Sequence, residues 1–548
     1  MKILMILHRL NGAMLPYDES LTHPSQEYIL PLGMPYIASY LKRGGYDITI
    51  INLNNREGLV KDIVQNELNK ADYDMAFVGG TTMFFPHVRH IIQCIREFSP
   101  KTKIVAGGGM VSAQPEIMLK MLNPDFIIVY EGEQTALELV KCIESGGNLS
   151  GVDGIGYVKN GGITITKPRA PIEDLDSLPY PDFESFGYSK YLNSLKSSYI
   201  VFDSFDFPRP YSIISSRSCT FLCTFCFHTV GNKYRERSIE NIMGEIKFAV
   251  EKYRANIFFF CDELFAHKKE RVMNFCKAFI EFTKTVPYPI CINVSLRVDC
   301  ADEEMIAALK EAGCRVIGLG LESYSQSVLT SMKKHVTPQQ IKDTLTLLAK
   351  YKMVAQGSFI FGDTAETIES AKETLEFFEN NQDIIKDGAY LGFIIPFQGT
   401  ADYKYCLKKG IIKDEIDFIE HRAKYGYELD APLNMTSMNK KDFEWLKERI
   451  SESAYLSKKY SFAQEAKSIG GENRITTICP YCQKTINIKN AAHLPHGVVQ
   501  GVEVGCRECS GRFIVVPRLY PIAKFFIKVM GFTRIRKVRN AVKKIIGM

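Results

Sequence analysis

The sequence predicts an α/β protein with a doubly wound, Rossmann-like amino-terminal domain, then an open partial (β/α)6 barrel, and finally a small cysteine-rich module with a basic amphipathic tail. Three observations carry this. Short β-branched runs alternate with helical-period segments over residues 2–146, the alternation resumes from residue 211, and cysteines cluster within 219–226 and 479–509. The 548 residues leave room for three or four domains at about 100–200 residues each. A composition of 46% apolar and 24% charged residues excludes a wholly disordered, fibrous or polytopic membrane protein. Fifteen cysteines are too dilute for a disulfide scaffold, and their clustering reads as metal binding in a reducing compartment. The first residues, MKILMILHRL, lack a signal-peptide core and cleavage site. No run reaches the ~18 apolar residues of a spanning helix, so the expectation is a cytoplasmic protein.

In order along the chain, strands are expected at 2–7, 47–53, 75–80, 103–108 and 126–132, with helices such as Met34 to Lys42 and Phe85 to Phe98 between them. Ligands of such sheets bind outside the strand carboxyl ends, which here read Gly79-Gly80-Thr81-Thr82, Gly107-Gly108-Gly109 and Glu131-Gly132-Glu133. The first domain covers 1–167, and a proline-rich linker covers 168–210. The barrel covers 211–437, with strands near 211–218, 256–262, 290–297, 315–322, 354–361 and 389–397. A helical segment follows at 438–470, with helix read over 438–465, then a metal module at 471–518 and the tail at 519–548.

Cys219, Cys223 and Cys226 spell C-x3-C-x2-C on the loop after the first barrel strand. Three thiolates so close cannot all pair with one another, and a structural zinc site wants a fourth ligand, for which His228 is a candidate. On a [4Fe–4S] cubane, three cysteines leave one iron open, as catalysis requires. Buried free cysteines are the bland alternative.

With this triad the chain resembles the radical SAM superfamily, and within it the large group with an amino-terminal cobalamin-binding domain. The resemblance spans roughly residues 1–440. It rests also on Phe225 before the third cysteine, RERS at 235–238, FCDELF at 260–265, SLRVD at 295–299, Ala312-Gly313-Cys314 followed by GLGLES at 318–323, and PFQGT at 396–400. It implies that the amino and carboxylate groups of S-adenosylmethionine chelate the open iron, and that one electron from the cluster produces a 5′-deoxyadenosyl radical. On that reading Asp262 or Glu263 holds the ammonium, and Arg297 and Glu322 fix the carboxylate and ribose. Each of these taken singly is equally a rim ion pair; together, at successive strand ends, they favour a site. An apolar cavity is expected around the radical, with which Phe258, Phe259, Phe260 and Phe359 are consistent, plain core packing being the expected role of most of them. Cys261 beside Asp262 reads as a structural thiol.

In the first domain the resemblance rests on PLGMPYIASYL at 31–41, Gly80-Thr81-Thr82, Gly107-Gly108-Gly109, Glu131-Gly132-Glu133 and LPYPDF at 178–183. It implies cobalamin contacts at Gly80, Thr81, Thr82, Gly107, Gly108, Glu131 and Gly132, since a flat corrin needs backbone approach without side chains. Tight turns demanded by the fold alone are the competing reading. The Asp-x-His-x-x-Gly motif that gives some cobalamin proteins a cobalt ligand is absent; the loop reads His8-Arg9-Leu10-Asn11-Gly12, and His8 is expected to cap or pack the strand end. The usual Gly-Glu-Gly-Glu appears as Tyr130-Glu131-Gly132-Glu133. A tRNA methylthiotransferase would place three more cluster cysteines here, whereas only Cys94 and Cys142 precede the barrel.

Cys479, Cys482, Cys506 and Cys509 form two C-x2-C pairs, the ligand set of a closed, structural tetrahedral site. Short strands around them suggest a zinc ribbon; a rubredoxin-like iron site shares the ligands. In the tail, Ile535, Val538, Val542, Ile545 and Ile546 fall at helical spacing among basic residues, which suits an anionic membrane interface. Nucleic acid is the weaker partner, and a helix docked on its own domain the bland one. Residues 519–548 hold eight bases and no acid; removing those eight from 68 leaves 60 bases against 62 acids, so the formal charge of +6 belongs to this segment.

The resemblance thus implies an enzyme with a [4Fe–4S] cluster, S-adenosylmethionine and cobalamin that methylates an unactivated carbon, and the two C-x2-C pairs add structural zinc. Oxidative cyclisation or rearrangement, as in anaerobic porphyrin-ring cyclases, is the alternative, and a membrane-tethered metal adaptor a third reading. The implied partners are a small or lipid-like substrate and a reductant such as flavodoxin or ferredoxin. The implied location is the cytoplasm, with peripheral contact at the inner membrane face.

Overall fold

The structure, a computed structural model, describes residues 1–10, 18–23, 29–196, 205–425, 432–496, 500–522 and 524–525. Two compact units emerge. One comprises Met1–Ser194, Ser216–Glu245 and Ile395–Pro432; the other comprises Leu195–Ser215, Ile246–Ile394 and Leu433–Met548.

The first unit is organised by a seven-stranded sheet of β1 (Lys2–Leu7), β2 (Asp47–Asn52), β3 (Met75–Gly79), β4 (Lys103–Gly107), β5 (Phe126–Ile128), β6 (Ile155–Lys159) and β7 (Gly162–Ile165), in the order β2-β1-β3-β4-β5-β6-β7. β1 to β5 are parallel. Five consecutive buried apolar residues in β1 mark a strand covered on both faces, as parallel sheets require. Leu4, Ile6, Val78, Ile104 and Ile127 share a core with Val88, Ile91, Ile92 and Ile95 of the helix Phe85–Phe98. The antiparallel β6–β7 hairpin was not foreseen. Its signal was Asn160-Gly161, both at positive φ, the pairing that a two-residue hairpin turn favours.

In the second unit β8 (Pro210–Ile213), β11 (Ile257–Phe260), β12 (Cys291–Leu296), β13 (Val316–Glu322), β14 (Val354–Phe361) and β15 (Ala389–Phe393) form one parallel sheet in chain order. These are the six strands read from the sequence. β9 (Ser216–Arg217) and β10 (Arg235–Glu236) form a separate antiparallel ladder in the first unit. Alternation along the strands decides between cavity and core for the aromatic residues. Phe258 packs edge-on to Phe279, Phe260 to Phe275 and Phe359 to Phe377. These partners lie on the helices Lys269–Thr283 and Ile368–Asn380, so all three rings belong to the strand–helix core. Phe259 alternates to the opposite face.

The linker holds the helix Tyr188–Leu192 and buries Ile172, Leu175 and Leu178. The helix expected over 438–465 is Lys440–Leu456; the chain then turns to strand. β16 (Tyr460–Ile469) pairs antiparallel with β17 (Glu472–Ile478) through Gly470-Gly471, both at positive φ. With β18 (Thr485–Ala491), β19 (Val502–Gly505) and β20 (Arg512–Val516) they form a five-stranded sheet in the order β18-β17-β16-β20-β19. Of the tail, residues 526–548 lie outside the described residues.

Candidate functional site

The cysteine triad sits on the loop between β9 and β10, whose register pairs Arg217 with Arg235. Cys219 is half-buried, Cys223 buried and Cys226 exposed. The Cys226 N–H donates to the Cys223 carbonyl (3.2 Å), and the Asp402 N–H to the Thr224 carbonyl (3.2 Å). Phe225 between them is half-buried. The chain enters the loop through Ser218, fully buried at φ 73°, a left-handed conformation that surrounding structure must enforce.

The enforcing structure is a buried quartet of charges. Arg217 donates to Glu131 (2.8 Å) and Glu133 (2.5 Å), while Arg235 donates to both Glu131 oxygens (2.9 Å each) and to the Ile172 carbonyl (2.8 Å). The Ile172 N–H returns a bond to Glu131 (2.7 Å). All four side chains are at most 8% exposed. Burial raises the Glu133 pKa, but the charge and hydrogen bond of Arg217 outweigh it and hold the carboxyl below its ordinary range. The network thus ties the neck of the triad loop to the turn after β5. Glu131, read from the sequence as a corrin contact, has its carboxylate filled by two guanidiniums and a backbone N–H.

The glycine strand ends lie beside this neck. Gly107, Gly109 and Gly80 are partly exposed, Gly108 and Thr81 exposed and Thr82 buried. A Cβ at Gly80 would stand 2.9 Å from His8 Nε2, one at Gly108 (φ 93°) 2.6 Å from the Gly80 carbonyl oxygen, and one at Gly132 2.8 Å from Ile37. Close approach within the fold therefore explains three of these glycines. The result is nonetheless a strip of bare backbone at the carboxyl ends of β3 and β4, which fits a large flat ligand. Gly109 borders the triad loop: its Cβ would touch Thr229 at 3.5 Å. His8 is 2% exposed and lies against Phe84 with ring centroids 4.2 Å apart. Burial, opposed by the bond to the Arg9 carbonyl, lowers its pKa to about 4. It packs the strand end, as its position implied.

In the second unit, polar groups gather at the strand carboxyl ends. Asp262 follows β11 and accepts from the Ser215 N–H (2.7 Å) and hydroxyl; Glu263 beside it is exposed. Arg297, after β12, is forked onto Asp299 (2.9 and 3.1 Å) and donates to the Lys334 carbonyl (2.6 Å). Glu322 ends β13 at φ 58° and pairs with Lys334 Nζ at 2.7 Å, both partners nearly buried. Gly320 makes the room: a Cβ there would lie 2.2 Å from Lys334 Nζ. Sequence reasoning missed Lys334, and also Asp363 and Glu366, each 1% exposed after β14. Burial pushes Glu366 up to about 7, against the Ser370 hydroxyl and the Gly362 N–H.

The C-terminal cysteines behave differently. Their four sulfurs lie within 4.8 Å of one another, and among the described residues no other group of three or more His, Cys, Asp or Glu gathers so closely. The residues after the two C-x2-C pairs, Gln483 and Ser510, share a left-handed conformation (φ 61° and 59°), and the Gln483 and Ser510 N–H groups donate back to the Cys479 and Cys506 carbonyls. Two like turns thus present four thiols to one point. Lys386 Nζ donates to the Cys509 carbonyl and Arg315 to the Cys506 carbonyl (3.0 Å each), bringing positive charge to a site that four thiolates would make anionic.

A parallel sheet with bare glycine ends, a three-cysteine loop in the same unit and a six-stranded barrel with polar strand ends define the class. Residues 213–378 match the family model of the radical SAM superfamily and residues 21–140 that of the B12 binding domain. The chain thus carries a radical SAM domain and a B12-binding domain, the pairing of enzymes that use S-adenosylmethionine at a [4Fe–4S] cluster together with cobalamin. It is 28% identical over 389 residues to an uncharacterized methyltransferase of Pyrococcus horikoshii, covering 70% of this chain and 79% of that one. It is 27% identical over 351 residues to the anaerobic magnesium-protoporphyrin IX monomethyl ester cyclase of Rubrivivax gelatinosus, covering 63% and 61%. Among solved structures its fold is like that of the radical S-adenosylmethionine methyltransferase TsrM from Kitasatospora setae, with a TM-score of 0.60, 16% identity, and coverage of 75% and 77%. No helix among the described residues is long and apolar enough to cross a membrane.

Proposed function

We propose that the enzyme transfers a methyl group to an unactivated carbon of a small or lipid-like substrate, drawing electrons from a reductant such as flavodoxin or ferredoxin. One observation carries the reading: the triad loop belongs to the same compact unit as the B12-binding sheet and is bolted to it through Glu131, Glu133, Arg217 and Arg235. When bound, the cluster supplies the electron that cleaves S-adenosylmethionine, and cobalamin carries the methyl group. The protein's part is to hold these groups. Cys219, Cys223 and Cys226 ligate the cluster, and Phe225 shields it. Asp262 or Glu263 binds the ammonium of S-adenosylmethionine. Arg297 and Glu322 take its carboxylate and ribose, with Lys334 fixing the Glu322 carboxylate in place. Gly80, Thr81, Thr82, Gly107, Gly108 and Gly132 leave a floor for the corrin, whose cobalt receives no imidazole from His8. Cys479, Cys482, Cys506 and Cys509 hold zinc in a ribbon that braces the barrel. The boundaries 1–167 and 211–437 mark two functional modules, and the cysteine-rich module begins with β16 rather than at residue 471; all work in the cytoplasm. The methyltransferase relative is matched over more of its length than the cyclase, which favours methyl transfer over cyclisation.

The test is anaerobic reconstitution with iron and sulfide, followed by S-adenosylmethionine and reductant. The expected product is 5′-deoxyadenosine from wild type and none from Cys223→Ala. Product formation by Cys223→Ala would refute the cluster assignment.

A further inference from the structure

The first turn of the C-terminal segment shows two opposite faces. Tyr520, 2% exposed, is set against the rings of Tyr455 and Tyr460, with centroids 6.1 and 5.3 Å away. Four residues on, Lys524 Nζ donates to the Lys458 carbonyl (2.8 Å) and stands 5.4 Å from the Tyr460 ring. These two residues pin the turn to the second unit. Leu519, Ile522 and Phe525 lie at intervals of three on the other side, and are 50%, 53% and 62% exposed. A docked turn that keeps its tyrosine inside and three large apolar side chains outside is arranged to present that stripe to something else.

The sequence says what. Residues 526–548 continue with Phe526, Ile527, Met530 and Phe532 and hold Lys528, Arg534, Arg536, Lys537, Arg539, Lys543 and Lys544 without one acid. A partner must accept aliphatic and aromatic surface and many cations at once. An anionic bilayer does both, since the headgroup layer takes apolar side chains while lipid phosphates meet the bases. A nucleic acid would satisfy the charges and leave Leu519 and Ile522 in water. We propose that residues 519–548 seat the enzyme on an anionic membrane surface, with Leu519, Ile522 and Phe525 entering the headgroup boundary and Tyr520 and Lys524 coupling the anchor to the barrel unit. This is independent of the reaction assigned above.

The experiment is flotation of the full-length protein with phosphatidylcholine vesicles, with and without phosphatidylglycerol, at rising salt. Binding is expected only with phosphatidylglycerol and should weaken as salt screens the charges. The triple variant Leu519→Ser, Ile522→Ser, Phe525→Ser should bind at least about tenfold more weakly, with bound metal and near-ultraviolet circular dichroism unchanged. A second variant, Arg536→Gln with Lys537→Gln and Arg539→Gln, leaves the stripe intact and should lose the preference for anionic lipid. Absence of binding to phosphatidylglycerol vesicles, equal binding by the triple variant, or displacement from vesicles by a short DNA duplex at equal phosphate would each overturn the proposal.

Discussion

The two cysteine clusters teach by contrast. At 479–509 two like turns bring four sulfurs within 4.8 Å, the ligand set of a closed tetrahedral site. At 219–226 one loop carries three cysteines of graded exposure, and its order is imposed at its neck rather than by a small core around the sulfurs. A closed site with its own core cluster is built for stability; a loop anchored from outside leaves its tip open for chemistry. The anchoring carboxylates, Glu131 and Glu133, come from the B12-binding domain, so the triad loop and the turn after β5 share one network.

The contrast is broken most forcefully by removing a ligand from each. Cys482→Ser should lose about one metal ion per chain and unfold the ribbon, measured by metal analysis and limited proteolysis, while the 219–226 loop still accepts iron and sulfide. Cys223→Ala should do the reverse, keeping the ribbon and its metal while 5′-deoxyadenosine falls to background. Next in size is the neck. Glu133→Ala or Arg235→Ala strands a buried charge and should cost about 3–5 kcal/mol in denaturant unfolding, with faster hydrogen exchange over residues 218–234.

Glu366 gives a smaller, pH-dependent effect. Burial raises its folded pKa from the ordinary carboxyl value of 4.5 to about 7, so the folded state holds the proton more tightly than the unfolded one. Its contribution is therefore present at low pH and lost as pH rises from about 4.5 to about 7, by up to about 3 kcal/mol. Glu366→Gln should flatten that slope in unfolding curves taken across the window. The smallest change is Lys334→Met, which leaves the Glu322 carboxylate without its cation. Binding of S-adenosylmethionine to the reconstituted protein, measured by equilibrium dialysis, should weaken about tenfold, the value of one charged hydrogen bond.

These same elements show how far the sequence reaches. Spacing alone revealed both cysteine clusters and all six barrel strands, because ligand spacing and strand alternation are local. Asp262, Arg297 and Glu322 were legible as polar residues ending apolar runs, but Lys334 was not: its meeting with Glu322 depends on the gap at Gly320 and a left-handed turn. The partners of the Glu131 carboxylate, Arg217 and Arg235, lie 86 and 104 residues away, beyond the reach of a local reading. Phe258, Phe260 and Phe359 take the core role expected of most of these rings, although composition alone does not say which face of a strand meets the helices. Tyr460 to Ile469 was taken as helix although Gly470-Gly471 signals a hairpin.

The central claim is that one enzyme uses its cluster and its corrin together to move a methyl group. The most direct measurement supplies S-adenosylmethionine deuterated in the methyl group to the anaerobically reconstituted, cobalamin-loaded protein, and analyses both the corrin fraction and the nucleosides by mass spectrometry. The account predicts deuterated methyl on the extracted corrin, S-adenosylhomocysteine in matching amount, and 5′-deoxyadenosine beside it. Formation of 5′-deoxyadenosine with no label on the corrin and no S-adenosylhomocysteine would contradict it.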